Sequence, residues 1–69
     1  MEIVLNGQKT ATRDACTIRI LIEQLGLNPA QVAVEVNRQL VTRTRWAEHV
    51  LKAGDQVEVV HFVGGGGEQ

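Results

Sequence analysis

The sequence contains few aromatic residues, and this scarcity limits the partners it can have. Only Trp46 and Phe62 are aromatic among its 69 residues, and there is no tyrosine. Proteins that bind single-stranded nucleic acid stack bases on aromatic side chains. The net charge of −1 also provides no basic surface for a phosphate backbone. We therefore expect no nucleic-acid partner.

Cysteine is nearly absent as well, and Cys16 is the only one. A lone cysteine cannot form an intramolecular disulfide or the cysteine pairs of structural zinc sites. His49 and His61 have no carboxylate or cysteine neighbours at ligand spacing, so we predict no metal site. The sequence also shows no nucleophile–base set, P-loop lysine motif or carboxylate pair. We therefore predict a protein that is not an enzyme, with no catalytic residues and no bound cofactor.

Long apolar runs are missing too. No stretch approaches the roughly 18–20 apolar residues of a membrane span. The first residues lack the basic and apolar regions of a signal peptide. Together with the lone cysteine, these features predict a cytoplasmic protein without a membrane partner.

What the chain does contain begins with a hairpin pattern. Strand candidates at 2–6 and 8–12 flank Asn6-Gly7. This dipeptide is a strong hairpin signal, because a type I′ turn needs positive φ at both central residues.

A short amphipathic helix is predicted next. Thr17 is a plausible N-cap, and Gly26 stands at the C-terminal end. Between them, apolar residues at helical spacing form one stripe: Ile18, Leu21, Ile22 and Leu25.

Further strand patterns follow at 32–37, 40–41 and 56–63, and the polar segment 42–51 predicts a short helical turn around Trp46. The order is therefore β-β-α-β-β-β. One helix with an apolar stripe must pack across one sheet, which is an α+β arrangement. We predict a ubiquitin-like β-grasp fold with a mixed sheet, in which the first and last strands lie centrally and pair in parallel.

A glycine run follows the last strand pattern. We expect residues 1–63 to form the folded domain and residues 64–69 a flexible tail, because four consecutive glycines have no side chains to bury and much backbone entropy to lose.

Alternation sorts the residues of the last strand into two faces. If Val57 and Val59 face the helix, the alternate residues point outward. We predict an exposed apolar patch near the tail that binds partners, although a small protein also exposes some apolar surface without function. The members of this patch are Val4, Val41, Val60 and Phe62.

The tail permits a particular chemistry. Glycine makes it thin enough for a narrow cleft beside a nucleotide, and its terminal carboxylate could be activated by transfer to ATP and then attacked by sulfur. A glycine run is also typical of a linker, a disordered end or a remnant foreign to the natural chain. The tail alone does not decide between these alternatives.

Several stretches spread over nearly the whole chain resemble a known family. They are the start 3–7, the strand 34–37, the segment Arg45-Trp46, the turn 54–58 and the ending 60–66. The ending is the most specific, because it follows a Gly-Asp-x-Val-Glu turn. In these features the chain resembles the ThiS family of sulfur carriers of thiamine biosynthesis.

The resemblance implies a carrier whose terminal glycine is adenylated by an E1-like, ThiF-type adenylyltransferase that uses ATP and magnesium. It implies conversion to a thiocarboxylate with sulfur from a cysteine desulfurase, and donation to a ThiG-type thiazole synthase. One alternative is a carrier like the small subunit of molybdopterin synthase. Another is a ubiquitin-like modifier or non-covalent binding module with an inert tail.

One departure from the family pattern concerns the end of the chain. The family pattern ends in Gly-Gly, which falls on Gly65-Gly66, whereas Gly67-Glu68-Gln69 follows here. Trimming by a protease, an extension foreign to the natural chain, or a different mode of action would each account for this. We favour trimming to Gly66, with Gly67 as the alternative reactive residue.

Overall fold

The chain begins with the predicted β-hairpin. In the computed structural model, which describes residues 1–62, β1 (Glu2–Leu5) pairs antiparallel with β2 (Gln8–Ala11). Asn6 and Gly7 have φ of 49° and 82°, the left-handed values that a type I′ turn requires. The hairpin prediction is therefore confirmed.

The helix α1 (Ile18–Gln24) begins and ends where its capping residues predict. The side chain of Thr17 accepts a hydrogen bond from the N–H of Ile20 at 3.1 Å. At the other end Gly26 adopts φ of 72°, and the N–H groups of residues 26 and 27 donate to carbonyls of the last turn, a Schellman cap. Of the predicted stripe, Ile18, Leu21 and Ile22 are buried, whereas Leu25 is 41% exposed because it lies beyond the last turn of the helix.

A second hairpin joins β3 (Val32–Val36) to β4 (Gln39–Val41). Its turn residues Asn37 and Arg38 both have positive φ, at 52° and 70°. The polar segment that follows contains the 3₁₀ helix Arg43–Arg45, which ends at Trp46 and confirms the predicted short helical turn. A further 3₁₀ helix precedes β3 at Pro29–Gln31.

The last strand, β5 (Gln56–His61), lies at the centre of the sheet. The strand order is β2-β1-β5-β3-β4, with β5 parallel to β1 and antiparallel to β3. The parallel pairing of the first and last strands and their interior positions are both confirmed. The result is the predicted five-stranded mixed sheet with one helix across it, a β-grasp fold.

The core lies between α1 and the inner face of the sheet. It is formed by apolar side chains from all parts of the chain: Ile3, Cys16, Ile18, Leu21, Ile22, Val32, Val34, Val36, Trp46, Leu51 and Val57. Trp46 closes one side of this core, and its Nε1–H donates to the carbonyl oxygen of Val41 at 2.9 Å. Within residues 1–62, no helix combines the length and apolar composition that crossing a membrane requires.

Candidate functional site

The face of the sheet that points away from α1, here called the open face, carries the candidate site. Its residues alternate along each strand with residues of the core. Three apolar side chains stand out: Leu40 on β4 is 65% exposed, Val60 on β5 is 54% exposed and Phe62 after β5 is 49% exposed. Exposed apolar side chains on one sheet face are a feature of partner surfaces.

Val60 and Phe62 lie together at the end of β5 that leads into the glycine run. Val60 pairs with Ala33 of β3, and the N–H of Phe62 donates to the carbonyl oxygen of Gln31 at 2.7 Å. Main-chain pairing with the β3 side therefore continues through Phe62. Both predicted partner residues are placed directly before the tail.

Val4 is on the open face but not beside Val60. Its pairing partner on β5 is Gln56, four residues before Val60. At about 3.3 Å per residue this offset is about 13 Å along the strand. Glu58 lies between the two positions, so the structure does not join Val4 to the apolar residues near the tail.

The prediction that Val41 points outward is wrong. Val41 pairs with Val34, which is fully buried, and directly paired residues share a face of the sheet. Val41 is half-buried and packs against the core. The exposed apolar residue of β4 is instead Leu40, whose partner is Glu35.

Two carboxylates occupy the middle of the open face. Glu35 of β3 and Glu58 of β5 are direct cross-strand partners, and both are exposed. The ion pairs found within residues 1–62, Met1–Asp14 and Arg19–Glu23, involve neither of them. The open face therefore combines apolar side chains with an uncompensated acidic pair.

Two asparagine side chains hold β5 at different points, and sequence reasoning missed both. Oδ1 of Asn6 accepts from the N–H of Val59 at 2.8 Å, and its Nδ2 donates to the carbonyl oxygen of Val59 at 3.4 Å. At the start of the strand, Oδ1 of Asn37 accepts from the N–H of Gln56 at 2.9 Å. Each asparagine also has positive φ at a hairpin turn. The sequence indicates that turn position, but it does not indicate the side-chain hydrogen bonds to β5.

The turn before β5 is built around Asp55. Its carboxylate accepts from the N–H of Lys52 at 2.8 Å and from Nδ2 of Asn37 at 3.0 Å. These bonds join the turn between β3 and β4 to the turn that starts β5. They explain why an aspartate stands in the Gly-Asp-x-Val-Glu motif.

The predicted reactive residues Gly65, Gly66 and Gly67 lie outside the described residues, as does the predicted domain boundary at residue 63. What the structure provides is their attachment point at the end of β5.

The remaining reactive side chains do not form a site with the open face. Cys16 is fully buried, and burial raises the pKa of its thiol, an effect that Arg13 partly offsets. A buried thiol with a raised pKa is a poor nucleophile. Within residues 1–62 there is no group of three or more His, Cys, Asp or Glu residues that could hold a metal ion.

Comparisons with known proteins agree with this fold. A model of the ThiS family matches residues 2–66. The chain is 44% identical over 66 residues to a thiazole synthase of Magnetococcus marinus, which covers 96% of the chain and 20% of that protein. It is 35% identical over 66 residues to the sulfur carrier protein ThiS of Escherichia coli, which covers 96% of the chain and 100% of that protein. The chain spans about a fifth of the length of the curated thiazole synthases that it matches.

A solved structure gives the same result. The fold superposes on the crystal structure of a thiamine biosynthesis protein, ThiS, of Geobacter metallireducens with a TM-score of 0.79 at 28% identity. The superposition covers 94% of this chain and 99% of that one. The element order, the open-face residues before the glycine run and the family match all agree, and the chain belongs to the ThiS family.

Proposed function

We propose that this protein is a sulfur carrier of thiamine biosynthesis, a protein co-substrate whose terminal glycine carboxylate becomes a thiocarboxylate. The observation that carries this proposal is the course of β5. This central strand, paired on both sides, leads past the exposed Val60 and Phe62 into the glycine run. The family match through residue 66 supports the same reading.

The chemistry starts from the poor reactivity of a carboxylate, whose leaving group would be oxide. A carboxylate oxygen attacks the α-phosphorus of ATP, the bond to the β-phosphate oxygen breaks, and pyrophosphate leaves as an acyl adenylate forms. Hydrosulfide, released from a desulfurase persulfide by a thiol reductant that is oxidised to a disulfide, then attacks the acyl carbon. AMP leaves with the electrons of the C–O bond, and the sulfur-bound proton passes to solvent. The product is a thiocarboxylate, and catalysis belongs to the partner enzyme.

Glycine suits the reacting end because it adds no side chain beside the acyl carbon. The four residues that follow Phe62, up to Gly66, add at most about 14 Å when extended. This length lets the carboxylate enter a partner's active site while the folded domain remains outside.

The reactive residue in this proposal is Gly66, next to Gly65, with Gly67 as the alternative. Residues 64–69 form the tail and residues 1–63 the folded domain. The proposed chemistry requires a free carboxylate at Gly66, so removal of the residues after Gly66 must precede activation. The end of the family match at residue 66 favours Gly66 over Gly67.

The partners in this proposal are a ThiF-type adenylyltransferase that binds ATP and magnesium, a cysteine desulfurase that supplies sulfur, and a ThiG-type thiazole synthase that receives it. The matches to thiazole synthases, in which a segment like this chain is about a fifth of the protein, favour the last of these. Val60 and Phe62 are the proposed docking residues, and Val4 contributes at a separate point of the open face. Because activation consumes ATP, we place the protein in the cytoplasm.

The proposal is tested by incubating three forms of the chain, ending at Gly66, Gly67 and Gln69, with the cognate adenylyltransferase and ATP-magnesium. Intact-mass spectrometry follows the products. We expect the form ending at Gly66 to gain AMP and, with sulfide, to exchange one oxygen for sulfur, while the form ending at Gln69 stays unchanged. Equal activation of the Gln69 form would refute the trimming step, and no activation of any form would refute the carrier function.

A further inference from the structure

On its β1 side, β5 is held first by main-chain hydrogen bonds and then, beyond the end of β1, by a side chain. Leu5, the last residue of β1, pairs with Val57, and the N–H of Asn6 donates to the carbonyl oxygen of Val57 at 2.9 Å. The chain then turns away at Gly7 into the hairpin. Beyond Val57, the main chain of β1 no longer accompanies β5.

The side chain of Asn6 takes the place of the missing main chain. Its amide offers one acceptor and one donor in the same plane, as a peptide group does. These groups bind the N–H and the carbonyl oxygen of Val59 at 2.8 and 3.4 Å. The parallel pairing of the sheet is thereby extended by two residues toward the tail.

The other end of β5 provides a matched comparison. Asn37 also has positive φ and also donates and accepts through its side chain, to Asp55 and from Gln56. Its main-chain N–H adds a bond of 2.7 Å to the carbonyl oxygen of Gln56. Both asparagines hold the same strand, but only Asn6 holds the part that leads to the tail.

We infer that Asn6 is a positioning residue for sulfur loading: its amide fixes the direction in which the end of β5 leaves the sheet. This inference rests on the proposed carrier function. Val60 follows Val59 directly along the strand. Among the hydrogen bonds of residues 1–62, Phe62 is held only on the β3 side, where its N–H donates to the carbonyl oxygen of Gln31. Without the Asn6 amide, this end can pivot about its pairing with β3.

The geometric consequence is large compared with the fit that a docking surface requires. Phe62 lies three residues beyond Val59, about 10 Å along the extended chain, so a pivot of about 10° at Val59 moves it by about 2 Å. It also tilts Val60 and Phe62 away from the rest of the open face. Docking on the adenylyltransferase has to restore the orientation of this end before any bond is made. We therefore expect loss of the Asn6 amide to raise the KM for the carrier and to leave the bond-making steps unchanged.

The test compares Asn6→Gly with Asn37→Gly. Glycine adopts the positive φ of both positions without strain, so each variant removes only the side-chain bonds and keeps the turn. The cognate ThiF-type adenylyltransferase is assayed for pyrophosphate release against carrier concentration, in the form of the carrier that it activates. Thermal unfolding and amide hydrogen exchange at Val59 are measured on the same samples.

We expect Asn6→Gly to raise the KM for the carrier about fivefold to tenfold, which is the scale of one or two lost hydrogen bonds, with kcat unchanged. Exchange of the Val59 amide should accelerate. Asn37→Gly should lower Tm at least as much while leaving KM unchanged.

Two results overturn the inference: an unchanged KM in Asn6→Gly, or an equal rise in both variants, which would report general destabilisation. Failure of the unsubstituted carrier to support pyrophosphate release would instead refute the proposed function itself. The two failures are therefore distinguishable.

Discussion

The acidic pair in the middle of the open face gives the sharpest stability prediction. Glu35 and Glu58 are direct cross-strand partners and belong to neither of the ion pairs found in residues 1–62. Like charges directly opposite each other destabilise a sheet. We predict that Glu58→Gln, which keeps the shape of the side chain and removes its charge, makes the protein more stable.

The magnitude follows from the spacing of the strands. The Cβ atoms of paired residues lie about 5 Å apart, and two carboxylates at about 6 Å repel by about 0.7 kcal/mol in water. Screening at physiological salt reduces this to about 0.3 kcal/mol. A domain of this size gains about 4–8 °C in Tm per kcal/mol, so we expect an increase of about 3–6 °C at low salt and of about 1–2 °C at physiological salt.

The assay is thermal unfolding by circular dichroism at low salt and in 1 M NaCl. Glu35→Gln should have the same effect as Glu58→Gln, and the double variant should gain little more, because one neutralisation already removes the repulsion. The matched control is Glu2→Gln, which removes a charge opposite Ala11 and should leave Tm unchanged. A gain that persists in 1 M NaCl, additive gains in the double variant, or a lower Tm would each refute the electrostatic explanation.

Three further predictions concern the folded domain. Asp55→Ala removes the acceptor of hydrogen bonds of 2.8 and 3.0 Å and should lower the free energy of unfolding by about 1–2 kcal/mol in urea titrations, whereas Asp55→Asn should cost less. Arg38 has a φ of 70°, a strained value for a residue with a side chain. Arg38→Gly should therefore raise the free energy of unfolding by about 0.5–1 kcal/mol, and a decrease would contradict this strain. Burial raises the pKa of the Cys16 thiol above its ordinary 9.0, so above about pH 9 this thiol ionises more readily in the unfolded chain than in the folded one. The free energy of unfolding should therefore fall as the pH rises. In Cys16→Ala, this fall with pH should be weaker.

Much of the fold could be predicted because its signals are local. Positive φ at Asn6-Gly7 fixes a tight turn, and Thr17 and Gly26 mark the ends of the helix by their own backbone preferences. Each of these features depends on residues only a few positions apart. The order of elements and their apolar faces then leave few arrangements other than a helix across a mixed sheet.

The candidate site was harder to predict because it depends on register. Val41 lies in a strand of three residues, too short for alternation to define a face, and its pairing with Val34 turns it toward the core. The offset between Val4 and Val60 likewise depends on which residue of β5 lies beside β1. Register between distant strands is not written in either strand alone.

The asparagine contacts could not be predicted at all, since the amide of Asn6 reaches a residue 53 positions away. They nevertheless explain how so small a domain supports its last strand. The inner face of β5 is fixed by the buried Val57, but burial weakens along that face to the partly buried Val59 and the exposed His61. Toward the tail, apolar packing gives way to hydrogen bonds, from Asn6 on one side and Gln31 on the other. Hydrogen bonds fix the direction of the strand without burying apolar side chains. Val60 and Phe62 on the open face therefore stay available to a partner.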